Sequence, residues 1–426
     1  MSEWQEVALE DVADEITVGY VGPMASEYVE NGVPFLRSQN VEPLRINNND
    51  IKFITPEFHQ RIRKSRLTPG DVVIVRTGKP GACSVVPDWL RDGNCSDLVI
   101  VRCGERINNR FLAYYINTVA THHIAAHLVG AVQQHFNVGS ARTMRVNLPP
   151  LPEQKAIAAV LGALDDKIEL NRRMNTTLEA MARALFQSWF VDFDPVRAKL
   201  DGRQPPNLDP ATAAPFPDSF QDSELGHIPK GWKAGSLGDI ATNPRRTLQP
   251  NEIAPNTPYI ALEHMPRRCI ALNDWDESAD VASGKSAFNK GEILFGKLRP
   301  YFHKVGVAPL NGVCSTDILV LVPKSPEWFG LLLGHASSDE LIQFTDLAST
   351  GTKMPRTNWG DISSFKVALP PKPLAAAFTK QIEPMVERIT ANLHQSRTLS
   401  TLRDTLLPKM LSGGIVTTSP NFSQLK

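Results

Sequence analysis

The chain of 426 residues holds only five cysteines, Cys83, Cys95, Cys103, Cys269 and Cys314, an odd number with no CxxC spacing. Neither a disulfide framework nor a zinc ribbon is indicated, and a reducing cytoplasm fits. No apolar run reaches 18 residues, and residues 1–36 contain eight acidic groups and no Lys or Arg, so neither a membrane span nor an export signal is expected. Net charge is also missing, because 45 Lys and Arg balance 45 Asp and Glu. Neutrality counts against a nucleic-acid binder, whose backbone affinity comes from cations displacing counterions; only local excess remains, as in residues 37–110 with 13 basic against 8 acidic groups. Catalytic signatures are absent too: there is no Gly-rich dinucleotide loop, no GxSxG elbow and no Asn-Pro-Pro-aromatic run. Residues Ala279–Ser286 look like a phosphate-binding loop in the wrong setting, with a polar stretch before and the strand-like Ile293–Phe295 after. His122, His123 and His127 lack both the Glu of an HExxH helix and a third ligand. Neither a catalytic residue nor a metal site is expected in this chain.

What is present is a repeat. About 62 residues recur at an offset of 221, so that Gly130, Asn137, Val146, Leu148, Pro149, Pro150 and Pro152 match Gly351, Asn358, Val367, Leu369, Pro370, Pro371 and Pro373. Weaker anchors extend the match upstream: Trp4 with Trp232, Pro34-Phe-Leu36 with Pro258-Tyr-Ile260, Gly70-Asp-Val with Gly291-Glu-Ile, and Cys95-Ser-Asp97 with Cys314-Ser-Thr-Asp317. Both globular regions alternate short β-rich runs with turn signals, giving a mixed α/β, strand-rich fold, and two copies in one chain make a pseudo-twofold object.

Each Pro-rich run leads into a heptad seam. In the first it includes Ile157, Leu161, Leu164, Ile168, Asn171, Leu178 and Leu185; in the second, Phe378, Ile382, Met385, Ile389, Asn392, Leu399 and Leu406. Pro152 and Pro373 suit a first helical turn, where the missing N–H has no partner to lose. Two helices of roughly 40 residues, each about 60 Å long, are expected to pack antiparallel. In that register Asn171 faces Asn392, Ile157 lies by Leu406, Leu164 by Leu399, Leu178 by Met385, and Leu185 by Phe378. Pro384 stands where the first copy has Ala163, and a kink is a possible result. The seam serves equally as the core of a helical hairpin, but Val160, Met174, Met181, Phe186, Phe190, Val386, Leu402 and Leu407 lie outside it and suggest further docked protein.

Several basic, turn-rich segments are candidates for contacting DNA. They supply Arg76, Thr77 and Lys79 with their counterparts Lys297 and Arg299, and the loops Gln133, Gln134 and His135, and Lys353, Arg356 and Asn358. Arg can take guanine bidentately and Gln or Asn adenine, while Gly and Pro turns let a backbone approach a phosphate. Each segment reads equally as an exposed structural turn.

The run LPPLPEQKAIAAVLGALDDKIELNRRMNTTLEAMARALFQSWFVDF (Leu148 to Phe193), with GEILFGKLRPYFHKVGVAP (Gly291 to Pro309) and LRDTLLPKMLSGGI (Leu402 to Ile415), resembles the specificity subunit of type I restriction-modification systems. The resemblance covers nearly the whole chain. It implies target-recognition domains at 1–148 and 229–369 and spacer helices at 149–193 and 370–413; residues 194–228, rich in Pro and polar residues, read as a linker that need not fold independently, and 414–426 as a tail. It further implies a non-catalytic chain that reads a bipartite double-stranded DNA site and assembles with two methyltransferase subunits and with restriction subunits. S-adenosylmethionine, ATP and Mg belong to those partners, with no cofactor here. The second Pro-rich run, Pro371-Lys-Pro-Leu-Ala375, departs from the family-like Pro-Leu-Pro-Glu153-Gln154, so contacts of Glu153 and Gln154 do not carry over. Two rivals stand beside this reading: a single-chain restriction or modification enzyme, which needs a catalytic motif, and a coiled-coil adaptor that does not read DNA.

Overall fold

The run Val72–Val75 is buried on both faces, as four consecutive β-branched residues demand, and it anchors a four-stranded sheet. Its neighbours are Cys83–Val85 on one side and Leu98–Cys103 on the other, with Ala13–Val18 outermost. In the computed structural model, which describes residues 4–128, 136–278, 282–351 and 354–415, the same sheet occurs twice. Its second version runs Val305–Val307, Ile293–Gly296, Ile318–Pro323, Ala241–Thr242, in the same order.

A five-stranded sheet accompanies each. Both are mostly antiparallel and both contain one parallel pair, Phe35 opposite Asn94 in the first and Tyr259 opposite Val313 in the second. A short ribbon closes each domain: Gln5–Ala8 pairs with Arg145–Leu148, and Lys233–Ser236 pairs with Lys366–Leu369. Gln5 faces Leu148 as Lys233 faces Leu369, so the register is the same. The mixed α/β repeat expected from the sequence is the fold observed.

The chain divides into two compact units. One comprises residues 1–166 and 399–426, the other 167–398. The long helices are Leu151–Phe186 and Lys372–Leu411, and each carries its proline as second residue. The first ends in a π-helical turn, Gln187–Val191, and the second runs unbroken through Pro384. Within the first unit Ile157 and Leu161 share a core with Leu406, Leu407 and Met410, and Asp165 pairs with Arg403 at 2.6 Å. Within the second, Met174 Sδ accepts from Arg388 Nε at 3.4 Å, and Phe186 lies 6.4 Å from Phe378 between ring centroids. In both units the partner number falls as the residue number rises, which makes the helices antiparallel.

The polar layer of the seam is in the second unit. Asn171 Nδ2 donates to the Asn392 carbonyl at 3.4 Å, to Gln395 Oε1 at 2.9 Å and to Ser396 Oγ at 3.2 Å, while Asn392 Nδ2 donates to Asn175 Oδ1 at 2.8 Å. The two asparagines meet at the expected register without a reciprocal amide pair, since each finds a side-chain partner one turn away. Leu178, Met385, Leu185 and Phe378 pack on one core; Ile168, Ile382 and Ile389 are buried, and Leu164 and Leu399 half-buried.

Two expectations change. Residues 194–228 are a folded segment: Asp194–Leu200 is helical, Phe220–Ser223 pairs with Gly226–Pro229, and Val196, Phe216 and Ile228 are buried in the second core. Its polar composition hid a few apolar anchors, such as Phe216 edge-on to Trp189 at 5.1 Å. The surplus apolar residues of the helices are also mostly covered by this chain, with Phe186, Phe190, Val386 and Leu407 buried and Met181 and Leu402 exposed. Among the described residues no helix is long and apolar enough to cross a membrane.

Candidate nucleic-acid interface

In each unit the central buried strand ends in a turn that connects it to its antiparallel neighbour, Arg76–Ala82 in the first and Lys297–Lys304 in the second. A second loop is laced to that turn through backbone alone. The N–H of Phe136 donates to the Arg76 carbonyl at 3.0 Å, and the N–H of Thr357 donates to the Lys297 carbonyl at 3.1 Å. Both pairs sit at the repeat offset of 221. The helix that follows each loop is capped by a matching asparagine, Asn137 accepting from the Ser140 N–H at 2.8 Å and Asn358 from the Asp361 N–H at 3.2 Å.

The side chains diverge on this common frame. In the first unit Asp97 takes an ion pair from Arg76 and, at 2.9 Å, a hydrogen bond from Thr77, while Arg76 Nε donates to the Phe136 carbonyl at 3.0 Å. Arg76 and Thr77 are therefore occupied in holding the turn. Lys79 is exposed and makes no ion pair among the described residues. In the second unit Asp317 instead binds Arg356 at 3.2 Å, and its carbonyl accepts the Lys297 N–H at 2.9 Å. The ammonium of Lys297 is left to line a cleft of about 250 Å³ shared with Asn243, Arg245, Arg246, Asn358 and Trp359.

That cleft is lined by three basic side chains and no acidic one. Arg245 is exposed on a left-handed backbone, φ 47°, with its N–H bonded to Asn243 Oδ1 at 3.2 Å, and Arg246 is paired to Glu292. Arg299 stands at φ 51°, its N–H donating to the Pro355 carbonyl at 2.7 Å. Lys304, beyond it, donates to the Leu262 carbonyl at 2.5 Å, and burial lowers its pKa from the usual lysine value. Gln133, Gln134, His135 and Lys353 lie outside the described residues.

Sequence reasoning missed Arg245, Arg246 and the two aspartates. Asn243-Pro-Arg-Arg is as basic and turn-rich as the chosen loops, but candidates were drawn from matched positions, and the acidic start of the first region supplies no match. Asp97 and Asp317 did carry a signal, since both end a repeated Cys-Ser anchor. The rejected motifs also have structural accounts. Lys285–Phe288 is a strand, with the Lys285 ammonium bonded to Ser283 Oγ at 2.8 Å. His123 donates to the Ser140 carbonyl at 2.9 Å and stacks on His127 at 4.0 Å. No cluster fit to hold a metal ion occurs among the described residues.

Residues 1–180 match the family described as type I restriction modification DNA specificity domain. Relatives of the chain are likewise specificity subunits of type I restriction enzymes. The chain is 21% identical to the MjaIX specificity subunit of Methanocaldococcus jannaschii over 96% of this chain and 93% of that one. It is 25% identical to the HindI specificity subunit of Haemophilus influenzae over 65% of this chain and 70% of the relative. Among solved structures the S subunit of a type I restriction-modification system from M. genitalium shares the fold, with a TM-score of 0.57, 13% identity and 96% of each chain covered.

Proposed function

We propose that this chain is the DNA-reading, non-catalytic subunit of a type I assembly, each unit reading one half of a bipartite double-stranded site. One observation carries the reading: a single strand-turn-loop geometry is built twice, by backbone hydrogen bonds at Arg76–Phe136 and Lys297–Thr357, and is dressed with different side chains. Recognition of two unlike half-sites by one scaffold needs a constant frame for positioning and variable groups for base edges. The cleft around Arg245, Arg246 and Lys297 suits the phosphate backbone.

The long helices act as the spacer, their length setting how many unread base pairs separate the half-sites. Methyltransferase subunits with S-adenosylmethionine, and restriction subunits with ATP and Mg, supply the chemistry. The test is to replace residues 1–148 with the equivalent region of a relative and map methylated adenines in cells that carry the exchange. One half of the methylated sequence should change and the other stay. Change in both halves, or in neither, overturns the two-reader proposal. A coiled-coil adaptor without DNA reading would show no steep loss of duplex binding as salt rises.

A further inference from the structure

A third loop is laced to the repeated turn. Pro34 faces Phe53 across one strand pair and Pro258 faces Glu277 across its counterpart, so residues 34–53 match 258–277 at a constant offset of 224. Each stretch leaves its strand through a tight turn capped from inside: Asn40 Oδ1 accepts the Arg37 N–H at 3.0 Å, and His264 Nδ1 accepts the Ala261 N–H at 3.0 Å. Both caps are buried. Further along, the matched residues Leu44 and Arg268 are left-handed, at φ 63° and 54°. Their N–H groups donate at 2.8 Å to the carbonyls of Cys83 and His303, where the repeated turn ends. The loop that follows therefore starts, in the first unit, beside the turn that carries Lys79.

On this shared path the two units place different groups. In the first, Asn40 Nδ2 donates to the carbonyls of Asn47 and Asn49 at 3.2 and 3.0 Å, Asn47 Oδ1 accepts the Asn49 N–H at 2.9 Å, and Arg37 donates to the Asp50 carbonyl at 2.6 Å. The backbone of 47–50 is thus fixed before any partner arrives. The carboxylates around it are engaged, Asp50 by Arg37 at 2.9 Å and Lys52 at 3.0 Å, and Glu42 by Arg45 at 3.2 Å. Asn48 and Asn49 are exposed, and neither side-chain amide makes a hydrogen bond among the described residues. A turn asparagine commonly bonds nearby backbone, as Asn47 does; these two instead offer a donor and an acceptor each to an outside partner. In the second unit the residue matching Asn48 is Leu272, fully buried, and the loop joins the sheet there, the Val307 N–H donating to the Ile270 carbonyl at 3.0 Å. The match of Asn49, Asn273, stays exposed.

We propose that Asn48 and Asn49 read base edges for the first unit, each amide taking adenine bidentately in the major groove, and that the second unit has one such amide, Asn273, at this place. The inference rests on the DNA reading given above. A loop whose backbone is already fixed loses little freedom on binding, and a neutral amide releases no counterion, so the contact selects sequence rather than strengthening every complex. Replacing both residues, Asn48→Ala with Asn49→Ala, removes exposed and unbonded groups, and the melting temperature should match that of the natural chain. Randomised duplex oligonucleotides are selected with the full chain, alone and in the assembly with which it purifies, and the natural chain should enrich a two-part sequence. The double variant should bind that duplex about tenfold more weakly, the scale of one base contact. It should lose the preference for A·T pairs within one half only and keep the natural slope of binding against salt, while Asn273→Ala should act in the other half. Unchanged enrichment and affinity would overturn the inference and leave the DNA reading standing. So would an equal loss on every duplex, losses from the two sites falling in the same half, or loss of a co-purifying protein with DNA binding intact. A natural chain that enriches no sequence overturns the DNA reading itself.

Discussion

The two units share the order of their four-stranded sheet and the register of their closing ribbon, yet they hold their helices by different chemistry. In the first, Gln154 is fully buried and makes three hydrogen bonds: it accepts the Asn108 N–H at 2.8 Å and donates to the carbonyls of Arg106 at 3.0 Å and Pro149 at 2.8 Å. The equivalent residue of the second helix is Ala375. There Thr379 accepts the Gly330 N–H at 3.0 Å and donates to the Glu327 carbonyl at 2.8 Å, and Lys372 pairs with Glu327 at 2.8 Å. The second unit adds a buried carboxylate on the first long helix, Glu179, which accepts the N–H groups of Ile270 at 3.1 Å and Ala271 at 3.3 Å. The repeat thus preserves backbone geometry and leaves side chains to drift. Hydrogen bonds between main-chain groups do not depend on residue identity, so the frame survives a divergence that its fastenings do not.

The largest effect is expected where the second unit's added fastening is cut. Burial raises the pKa of Glu179 above the usual glutamate value, so its charge already comes at a cost, but two buried amides depend on it. Glu179→Ala should destabilise the second unit by about 3 kcal/mol. In hydrogen exchange the amides of Ile293–Gly296 should speed up while those of Val72–Val75 stay protected; equal loss in both units would show that the fastening is not local. Asp97→Ala should release Arg76 and Thr77 and cost the first unit about 2 kcal/mol, seen as faster exchange confined to that unit.

Acid provides a third contrast. Burial against Phe186 pushes the pKa of His335 down to about 3, from 6.5 when exposed. Above pH 6.5 folded and unfolded chains hold the same proton count at this site. Below it the unfolded chain gains a proton that the folded one refuses, so stability should fall by about 1.4 kcal/mol per pH unit down to roughly pH 3. His335→Gln should flatten that slope for the second unit; an unaltered slope would assign the acid sensitivity elsewhere. The smallest effects concern DNA. Lys79→Ala and Lys297→Ala should each lower the slope of binding against salt by about one, whereas Arg76→Ala should weaken the fold and leave that slope unchanged. A shifted slope in Arg76→Ala would mean that Asp97 does not hold it in the complex.

How much of this was legible follows from how local each signal is. Helix starts at Pro152 and Pro373 and the seam around Asn171 and Asn392 are written in a few consecutive turns, so periodicity and the offset of 221 located them. The pairing of Arg76 with Asp97 joins residues 21 apart, and that of Glu179 with Ile270 joins residues 91 apart. No spacing rule reaches such contacts. A buried carboxylate bonded to main-chain amides has no sequence pattern, because any residue supplies the amide. Arg76 and Thr77 were readable as exposed turn residues because an arginine facing inward and one facing solvent look alike until the partner aspartate is placed.

The division of the chain carries a consequence for its synthesis. The second unit is one continuous stretch, 167–398, whereas the first needs both residues 1–166 and the segment from 399 onward. Leu407, Met410 and Leu411 belong to the first core, beside Ile157 and Leu161. On a ribosome adding roughly 5–20 residues per second, the part made first therefore waits on the order of ten to fifty seconds for its last pieces, with part of its core uncovered. The part begun second can close before it. Protease digestion of chains arrested before Leu399 should show the second unit protected and the first still open to cleavage. Equal protection of both would mean that the N-terminal residues close without the end of the second helix.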